Sequence, residues 1–285
     1  MHVLTIDLEE WFHLLDFDAT RGEEQWSRYE VRIYENTERI LTLLEDSGTK
    51  ATFFVIGWIA RQYPDLVRKI AEKYRLGTHT ENHQLVWQQK PEEFKRDLVD
   101  SIHRLEDISG KRCEVFRAPG FSIRPSEAWV FDMLAESGIR YDSSVFPARA
   151  SHGGWPGFPS NGPVRIVTKT TVIREFPMPV KEVAGHPFVF SGGGYFRLFP
   201  YSLIRKWTDG SSYNLAYIHP RDLDKGQPVL QGLPPIRRFK SYYGLASAES
   251  KLRRYLSDYS FTDIHSAAET VDWDTVPSII PTNWD

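Results

Sequence analysis

The chain has 285 residues, of which 41% are hydrophobic and 26% charged, with a formal net charge of −3 at pH 7. This length and apolar content are enough for one large core, and the near-neutral charge balance without a basic run excludes the electrostatic footprint of a nucleic-acid-binding protein. The single cysteine, Cys113, excludes an internal disulfide and a zinc site built from cysteines.

The first half of the chain alternates between short apolar segments and amphipathic ones. Strands are predicted at 3–8, 51–56, 75–78, 114–117 and 139–142, where β-branched and aromatic residues are concentrated. Helices are predicted at 34–45, from Pro64, over 91–109 and from Ser126, because their apolar residues fall on one face. Strand–helix alternation with short links is typical of a parallel α/β sheet or barrel.

The second half is less regular. Residues 147–163 are rich in Pro, Gly and Ser and are predicted to form a long loop, which a hairpin-like insertion at 164–167 and 172–176 follows. A glycine-rich loop at 191–195, a helix at 201–207, a strand at 213–218 and an amphipathic segment at 248–256 come next, and the last dozen residues are expected to be frayed. We expect one domain over residues 1–285, with a barrel core at about 1–225 and a C-terminal extension at about 226–285.

Three acidic residues, Asp7, Glu9 and Glu10, stand at the end of the first predicted strand. Because unpaired buried charge is costly, these acids either face solvent or serve a site. Asp7 and Glu9 are two residues apart and face the same way on extended backbone. One of them would then bind a metal while the other stays free as a base.

His79 and His83 follow another predicted strand, with an i, i+4 spacing that suits one metal ion in a helix or a tight turn. Such pairs also occur by chance, but neutral imidazole is a preferred zinc ligand. Two histidines and one carboxylate would leave coordination positions open for water and substrate, as a catalytic metal requires.

Arg117 ends an apolar strand and needs an anion partner, which a neighbouring acid would supply in a site or in a structural salt bridge. The residues after it, Pro119, Gly120 and Phe121, are candidates to aim a backbone N–H group at an oxyanion. His219 ends the strand at 213–218, where a core role is the default and a carboxylate partner would favour a general acid.

Asp142, at another strand end, is the expected partner of His219, whereas Asp222 and Asp224 are expected to be solvated in a loop. Tyr195, behind three glycines, is expected at the edge of a cleft. Three histidines near predicted loops are weaker candidates for substrate contact: His13, His152 and His186.

Four segments together resemble the polysaccharide deacetylases of the carbohydrate esterase 4 (NodB-homology) family: 6–13 (IDLEEWFH), 116–122 (FRAPGFS), 191–197 (SGGGYFR) and His219-Pro220. The resemblance runs from Thr5 to about Asp222, in the family's order, and is strongest to the subgroup associated with bacterial exopolysaccharide biosynthesis. It implies a distorted (β/α) barrel that holds one divalent metal, most often zinc, through one acid and two histidines.

By this resemblance, Asp7 would be the catalytic base, oriented by Arg117, and His79 and His83 would be metal ligands. His219 would be the acid, with Asp142 as its partner. The first motif departs from the family, which has two adjacent aspartates where this chain has Asp-Leu-Glu-Glu. The alternation of side chains assigns the third ligand to Glu9, with Glu10 as the second choice.

The resemblance implies a hydrolase that removes N-acetyl groups from amino sugars of a bacterial polysaccharide or its precursor. Two alternatives stay open: a metal-free cyclic amidase or deformylase acting on a small substrate, and a non-catalytic polysaccharide-binding protein. The chain has no charged leader followed by an apolar stretch and no apolar run of membrane-spanning length, so we expect a cytoplasmic location.

Overall fold

The computed structural model describes residues 1–183 and 185–281. Its strands are β1 (His2–Leu8), β2 (Thr52–Val55), β3 (Arg75–Thr78), β4 (Val115–Phe116), β5 (Tyr141–Asp142), β6 (Val164–Val167), β7 (Val172–Glu175), β8 (Lys181–Val183), β9 (His186–Phe188), β10 (Asn214–Ile218) and β11 (Ser278–Ile279). Its α-helices are α1 (Glu23–Trp26), α2 (Ile33–Ser47), α3 (Gly57–Gln62), α4 (Pro64–Lys73), α5 (Pro91–Ser109), α6 (Val130–Glu136), α7 (Gly193–Leu198), α8 (Tyr201–Asp209), α9 (Pro235–Tyr242), α10 (Leu245–Asp258) and α11 (Ile264–Thr270).

One mostly parallel sheet organises the fold, with the strand order β10-β1-β2-β3-β4-β5-β7-β6-β11. The strands from β10 to β7 pair in parallel, and only β6 and β7 pair antiparallel in this sheet as described. The hairpin β8–β9 stands apart as a second, antiparallel sheet. The α/β class with a central parallel sheet is therefore confirmed.

Side chains of β1 alternate between the two faces of the sheet, as extended backbone requires. Leu4, Ile6 and Leu8 pack in the core that the flanking helices cover. Val3 belongs to a second apolar cluster on the opposite face, together with Phe54 of β2. Asp7 shares the face of Val3, because the two residues are four apart on one strand.

The sheet does not close through continuous ladders within the described residues, since its strands run in a linear order. The segment before α7 lies beside the edge strand β10. Gly192 forms a single parallel bridge with Tyr217, and the Ser191 hydroxyl donates to the Leu215 carbonyl oxygen over 2.7 Å. The distorted barrel expected from the resemblance is thus an open sheet within the described residues, with isolated contacts beside β10.

The C-terminal region packs into the fold. Leu252, Tyr255 and Leu256 of α10 are buried in the main core, and β11 pairs in parallel with β6 at the sheet edge. The prediction of fraying was wrong for residues 274–281, because that strand pairing depends on a partner distant in sequence. Residues 282–285, which also fell under that prediction, lie outside the described residues. Among those described, none of the helices has the length and apolar character needed to cross a bilayer.

Candidate metal and catalytic site

The register of the sheet brings the candidate residues to one edge. Parallel pairing places Val55 opposite Thr78, Thr78 opposite Phe116, and Ile6 opposite Ile218. The residues that follow these strands are Glu9, His79, Arg117 and His219. Because the carboxyl ends of neighbouring parallel strands lie together, segments far apart in sequence meet at this edge.

Glu9 and the two histidines form a compact group of possible ligands. Glu9 Oε1 lies 3.2 Å from Nε2 of His79 and 3.0 Å from Nε2 of His83. All three side chains are buried, and one ligand atom from each lies within 4.8 Å of the others. A carboxylate oxygen and two imidazole nitrogens at such separations are the donor set of a catalytic zinc site.

The tautomer of His79 fits a metal ligand. Its Nδ1 lies 2.7 Å from the carbonyl oxygen of Arg117, which can only accept, so Nδ1 carries the proton. The lone pair of Nε2 then points toward Glu9. A ligating histidine is commonly oriented by such a bond from its other nitrogen, so the residues present fit a divalent cation.

The loop that carries His83 is a tight turn. Thr80 and His83 both have positive φ, at 65° and 53°, which is uncommon for residues with a side chain. Asp97 of α5 fixes this turn, because its carboxylate accepts from the backbone N–H groups of Glu81 and Asn82 over 2.8 and 3.1 Å. The sequence analysis missed Asp97, since an acid within an amphipathic helix usually faces solvent.

The electrostatics of the group favour an ionised Glu9. Burial alone would raise the pKa of Glu9, but the charges of His83 and His219 and hydrogen bonds from both metal-site histidines hold that pKa well below its usual range. Burial lowers the pKa of His83. An ionised carboxylate is the form of Glu9 that binds a cation.

Glu10 has a different task from Glu9. Its Oε1 accepts from the backbone N–H groups of Arg32 and Ile33 over 2.7 and 2.8 Å, at the start of α2. These bonds satisfy N–H groups that a helix start leaves without partners. Burial raises the pKa of Glu10 to about 7 despite these bonds. The geometry therefore places Glu9, rather than Glu10, against the histidines.

Asp7 and Arg117 form a buried ion pair beside the ligands. Arg117 Nη1 lies 2.7 Å from Asp7 Oδ1 and 2.8 Å from the Thr5 hydroxyl. The other side of the guanidinium donates to the carbonyl and the hydroxyl of Ser143. Because the Arg117 side chain is 0% exposed and fully engaged, it fixes one oxygen of Asp7 and leaves the other turned toward the site.

His219 stands over the two acids. Its Nε2 lies 3.9 Å from Asp7 Oδ2 and 4.0 Å from Glu9 Oε1. Burial would lower its pKa, but the charge of Glu9 and the hydrogen bond and charge of Asp222 outweigh burial and raise the pKa of His219 to about 9. An imidazolium with Nε2 toward the site can donate a proton there.

The prediction that Asp142 is the partner of His219 was wrong. Its Nδ1 lies 2.9 Å from Oδ2 of Asp222, which also accepts from the His219 backbone N–H. The 3₁₀ turn Pro220–Leu223 folds Asp222 back onto the imidazole. Asp222 and Asp224 are 3% and 0% exposed, so the expectation that they are solvated was wrong too. Arg197, which the motif contained without an assigned role, donates from Nε to Asp222 Oδ1 over 2.9 Å.

Asp142 is buried and bonds a different residue, Ser144. It accepts from the hydroxyl of Ser144 over 2.6 Å, and that hydroxyl accepts from the backbone N–H of Ala118 over 2.8 Å. Asp142 therefore supports the segment after Arg117. Burial raises the pKa values of both Asp142 and the nearby Glu175, and the charge of Asp142 raises that of Glu175 further.

Only one of the three residues expected to face an oxyanion is left as a candidate N–H donor. Pro119 has no N–H group, and the Phe121 N–H donates to the Ala118 carbonyl over 3.1 Å. Gly120, with φ of 61°, is then the candidate donor of the three. Its backbone is closely surrounded, since an added Cβ would lie 2.8 Å from Leu15.

Tyr195 lies half-buried in a groove of about 500 Å³. Phe188 shares this groove, with its ring centroid 5.7 Å from that of Tyr195. Pro147 also lines this groove, and the adjacent Phe146 packs against Phe121 with ring centroids 6.0 Å apart. The expectation that Tyr195 lies at the edge of a substrate cleft stays a prediction.

The weaker histidine candidates lie at different depths. His13 is buried beneath the ligands, with its ring centroid 5.7 Å from that of His83. Its Nδ1 accepts from the Glu10 N–H over 3.2 Å. His152 lies 3.8 Å from a carboxylate oxygen of Asp16 at the rim. The side chain of His186 is outside the part of the chain that the structure describes.

Two family models match this chain. Residues 16–138 match the model described as polysaccharide deacetylase, and residues 143–269 match a domain of unknown function (DUF3473). A Bacillus cereus protein named peptidoglycan-N-acetylglucosamine deacetylase is 30% identical over 86 residues, which is 30% of this chain and 31% of that protein. The chain thus spans about a third of the length of this curated relative.

Solved structures share the fold at low identity. A Mycobacterium smegmatis protein assigned to the polysaccharide deacetylases has a TM-score of 0.65 at 17% identity, covering 96% of this chain and 91% of its own. Puue allantoinase has a TM-score of 0.58 at 14% identity, covering 94% and 88%. This chain therefore shares an α/β fold with these solved structures. Residues 16–138 are thus similar to polysaccharide deacetylases, over less than half of the chain.

Proposed function

We propose that this chain is a metal-dependent hydrolase that removes N-acetyl groups from amino sugars of a bacterial polysaccharide or its precursor. The matching deacetylase model and the curated deacetylases support a deacetylase enzyme. One observation carries the metal-dependent part: a buried carboxylate and two imidazoles converge next to the Asp7–Arg117 pair and below His219.

Glu9, His79 and His83 would hold the cation, for which zinc is the first candidate because the donors are two nitrogens and one oxygen. When bound there, the cation would act as a Lewis acid toward an amide carbonyl. The proposal includes two further parts. The polysaccharide would belong to exopolysaccharide biosynthesis, and the protein would act in the cytoplasm.

Asp7 is the base in this proposal. Arg117 holds its Oδ1, so Oδ2 is free to take a proton from a water that attacks the acetyl carbonyl. The Gly120 N–H would stabilise the charge that develops on the carbonyl oxygen. Breaking the C–N bond then requires a proton on the departing amine, because an amine anion is a very poor leaving group.

His219 supplies that proton from Nε2, while Asp222 holds Nδ1 and fixes the direction of the ring. Acid–base assistance of this kind contributes about a hundred- to ten-thousand-fold to the rate. The products are acetate and a free amino sugar. The open groove at Tyr195 and Phe188 supports a polymeric substrate over a small cyclic amide, since aromatic rings pack against sugar faces.

The test is acetate release from N-acetylated glucosamine oligosaccharides by the full chain. We expect activity to be lost on chelation, to return with Zn²⁺ and to be lost in Asp7→Asn. His103→Ala, which changes an exposed histidine of α5, is the matched control and keeps full activity. A chelated enzyme that deacetylates at its normal rate would refute the metal mechanism, and carbohydrate binding without turnover by the metal-loaded protein would favour the non-catalytic alternative.

A further inference from the structure

Helix α9 presents apolar side chains to solvent. Ile236 is 73% exposed and Phe239 50% exposed, and Tyr243, directly after the helix, is 49% exposed. Spacings of three and four place these residues on one face. Val229 and Leu198, at 44% and 38%, lie in the adjoining segments. These five are half of the ten large apolar side chains that stand exposed in the described part of the chain, so the exposure is concentrated.

The same segment is cationic. Residues 225–248 contain Lys225, Arg237, Arg238 and Lys240 and no Asp or Glu, in a chain whose net charge is −3. Arg237 pairs with Asp16 over 2.7 Å. Arg238 and Lys240 are exposed, and within residues 1–183 and 185–281 they form no ion pair. Two uncompensated cations therefore flank the apolar side chains.

The inner side of α9 is anchored. The buried guanidinium of Arg197 donates to the carbonyl oxygens of Lys240, Ser241 and Tyr243 over 2.9, 3.3 and 2.6 Å. The Tyr242 hydroxyl accepts from the Leu230 N–H over 2.9 Å. These hydrogen bonds on the inner side of α9 thus keep Ile236 and Phe239 turned toward solvent.

We propose that this surface (Val229, Ile236, Arg238, Phe239, Lys240 and Tyr243; the α9 face) docks on an anionic lipid bilayer. Apolar side chains with basic residues beside them are the composition of a helix that lies in a membrane interface. Cations near an anionic leaflet add attraction that falls with ionic strength. Charge complementarity thus selects an acidic lipid surface over a neutral one.

A glycan fits this face less well. Sugar rings stack on flat aromatic faces, and Ile236 and Val229 offer none. The rings of Phe239 and Tyr243 pack against each other, with centroids 4.7 Å apart, which covers part of each face. Branched aliphatic side chains instead enter the acyl boundary of a bilayer.

The α9 face is linked to the catalytic edge by one side chain. Arg197, which anchors the α9 backbone, also bonds Asp222, and Asp222 holds His219. If the proposed deacetylation is correct, docking would present the site to saccharides carried on lipid at the bilayer surface. The docking itself is independent of that activity.

The experiment is co-sedimentation of the full chain with vesicles of phosphatidylcholine alone or mixed with phosphatidylglycerol. We expect binding to the mixed vesicles that weakens with added salt, and much weaker binding to neutral ones. Arg238→Gln/Lys240→Gln is expected to weaken binding roughly 25-fold, at roughly fivefold per removed cation. Ile236→Ser/Phe239→Ser is expected to weaken it by at least tenfold, in the range set by burying such side chains.

Control variants change other exposed residues, outside the α9 face. Val31→Ser/Val172→Ser removes side chains that are 48% and 40% exposed, and Arg21→Gln/Arg28→Gln removes two exposed cations. Both controls should bind like the parent protein. Absence of binding to anionic vesicles, equal losses in the controls, or competition by soluble polysaccharide would each overturn the proposal. Because no turnover is measured, failure of the deacetylase function would leave this result unaffected.

Discussion

Replacing Asp222 by Asn tests the pairing that the structure assigns to His219. The ring nitrogen Nδ1 lies 2.9 Å from Oδ2 of Asp222, and both groups are largely buried. The charge and the hydrogen bond of Asp222 help raise the pKa of His219 from its ordinary value of 6.5 to about 9. An opposite charge at such a distance typically shifts a pKa by about 1 to 3, so Asp222→Asn is expected to lower the pKa of His219 by that amount.

The assay is an NMR titration of the His219 imidazole in chelator-treated protein, so that no cation neutralises Glu9. Asp142→Asn is the matched control, because Asp142 bonds Ser144 instead of His219. We expect the His219 pKa to stay near that of the parent in this control. An unchanged pKa in Asp222→Asn together with a lowered one in Asp142→Asn would refute the assignment.

The same pair predicts the sign of a stability change. The folded pKa of His219 lies above its ordinary value, so the stabilisation it brings is complete below pH 6.5 and is lost as the pH rises through about 9. The unfolding free energy that Asp222→Asn removes should therefore be larger at pH 6 than at pH 9.5. Chemical denaturation of the metal-free proteins at the two pH values measures it, and an equal loss at both would contradict the coupling.

Three further predictions concern other buried groups. Glu9→Gln should lose Zn²⁺ binding by calorimetry, whereas Glu10→Gln should keep it and instead lower stability by about 1 kcal/mol, because Glu10 satisfies the start of α2. Arg117→Met should destabilise the fold by about 3–5 kcal/mol in denaturant titrations, since it leaves Asp7 buried without its partner, and adding Asp7→Asn should recover part of that loss. Cys113, whose pKa burial raises to about 12, should react with a maleimide only as fast as the chain unfolds; rapid labelling of native protein would contradict its burial.

Much of the site followed from local rules. The two-residue period of a strand placed Asp7 and Glu9 on one side and Glu10 on the other, and the structure sends Glu10 to α2. His79 directly follows one strand of the predicted sheet, and Arg117 ends the next. These positions predicted that the two residues would meet at one edge of the sheet. These inferences succeed because they depend on backbone geometry that a short segment determines by itself.

The missing parts depend on contacts between distant segments. Asp142 ends a strand as expected, but the hydroxyl of Ser144 and the neighbouring Glu175 decide where its carboxylate points. The pairing of β11 with β6 joins segments that no local pattern connects. Asp222, by contrast, could have been predicted from a local pattern. The proline after His219 indicates a turn, and in such a turn the side chain three residues later lies beside the first residue.

The neighbouring acids Glu9 and Glu10 point in opposite directions from a single peptide unit. Inserting one residue before them would set Leu8 against the histidines, whereas deleting one would set Trp11 against the start of α2. The register of this segment therefore determines both the cation affinity of the site and the anchoring of the fifteen-residue helix α2. A shift by one residue in either direction would remove one of the two, which makes this short stretch intolerant of length variation even where its composition is preserved.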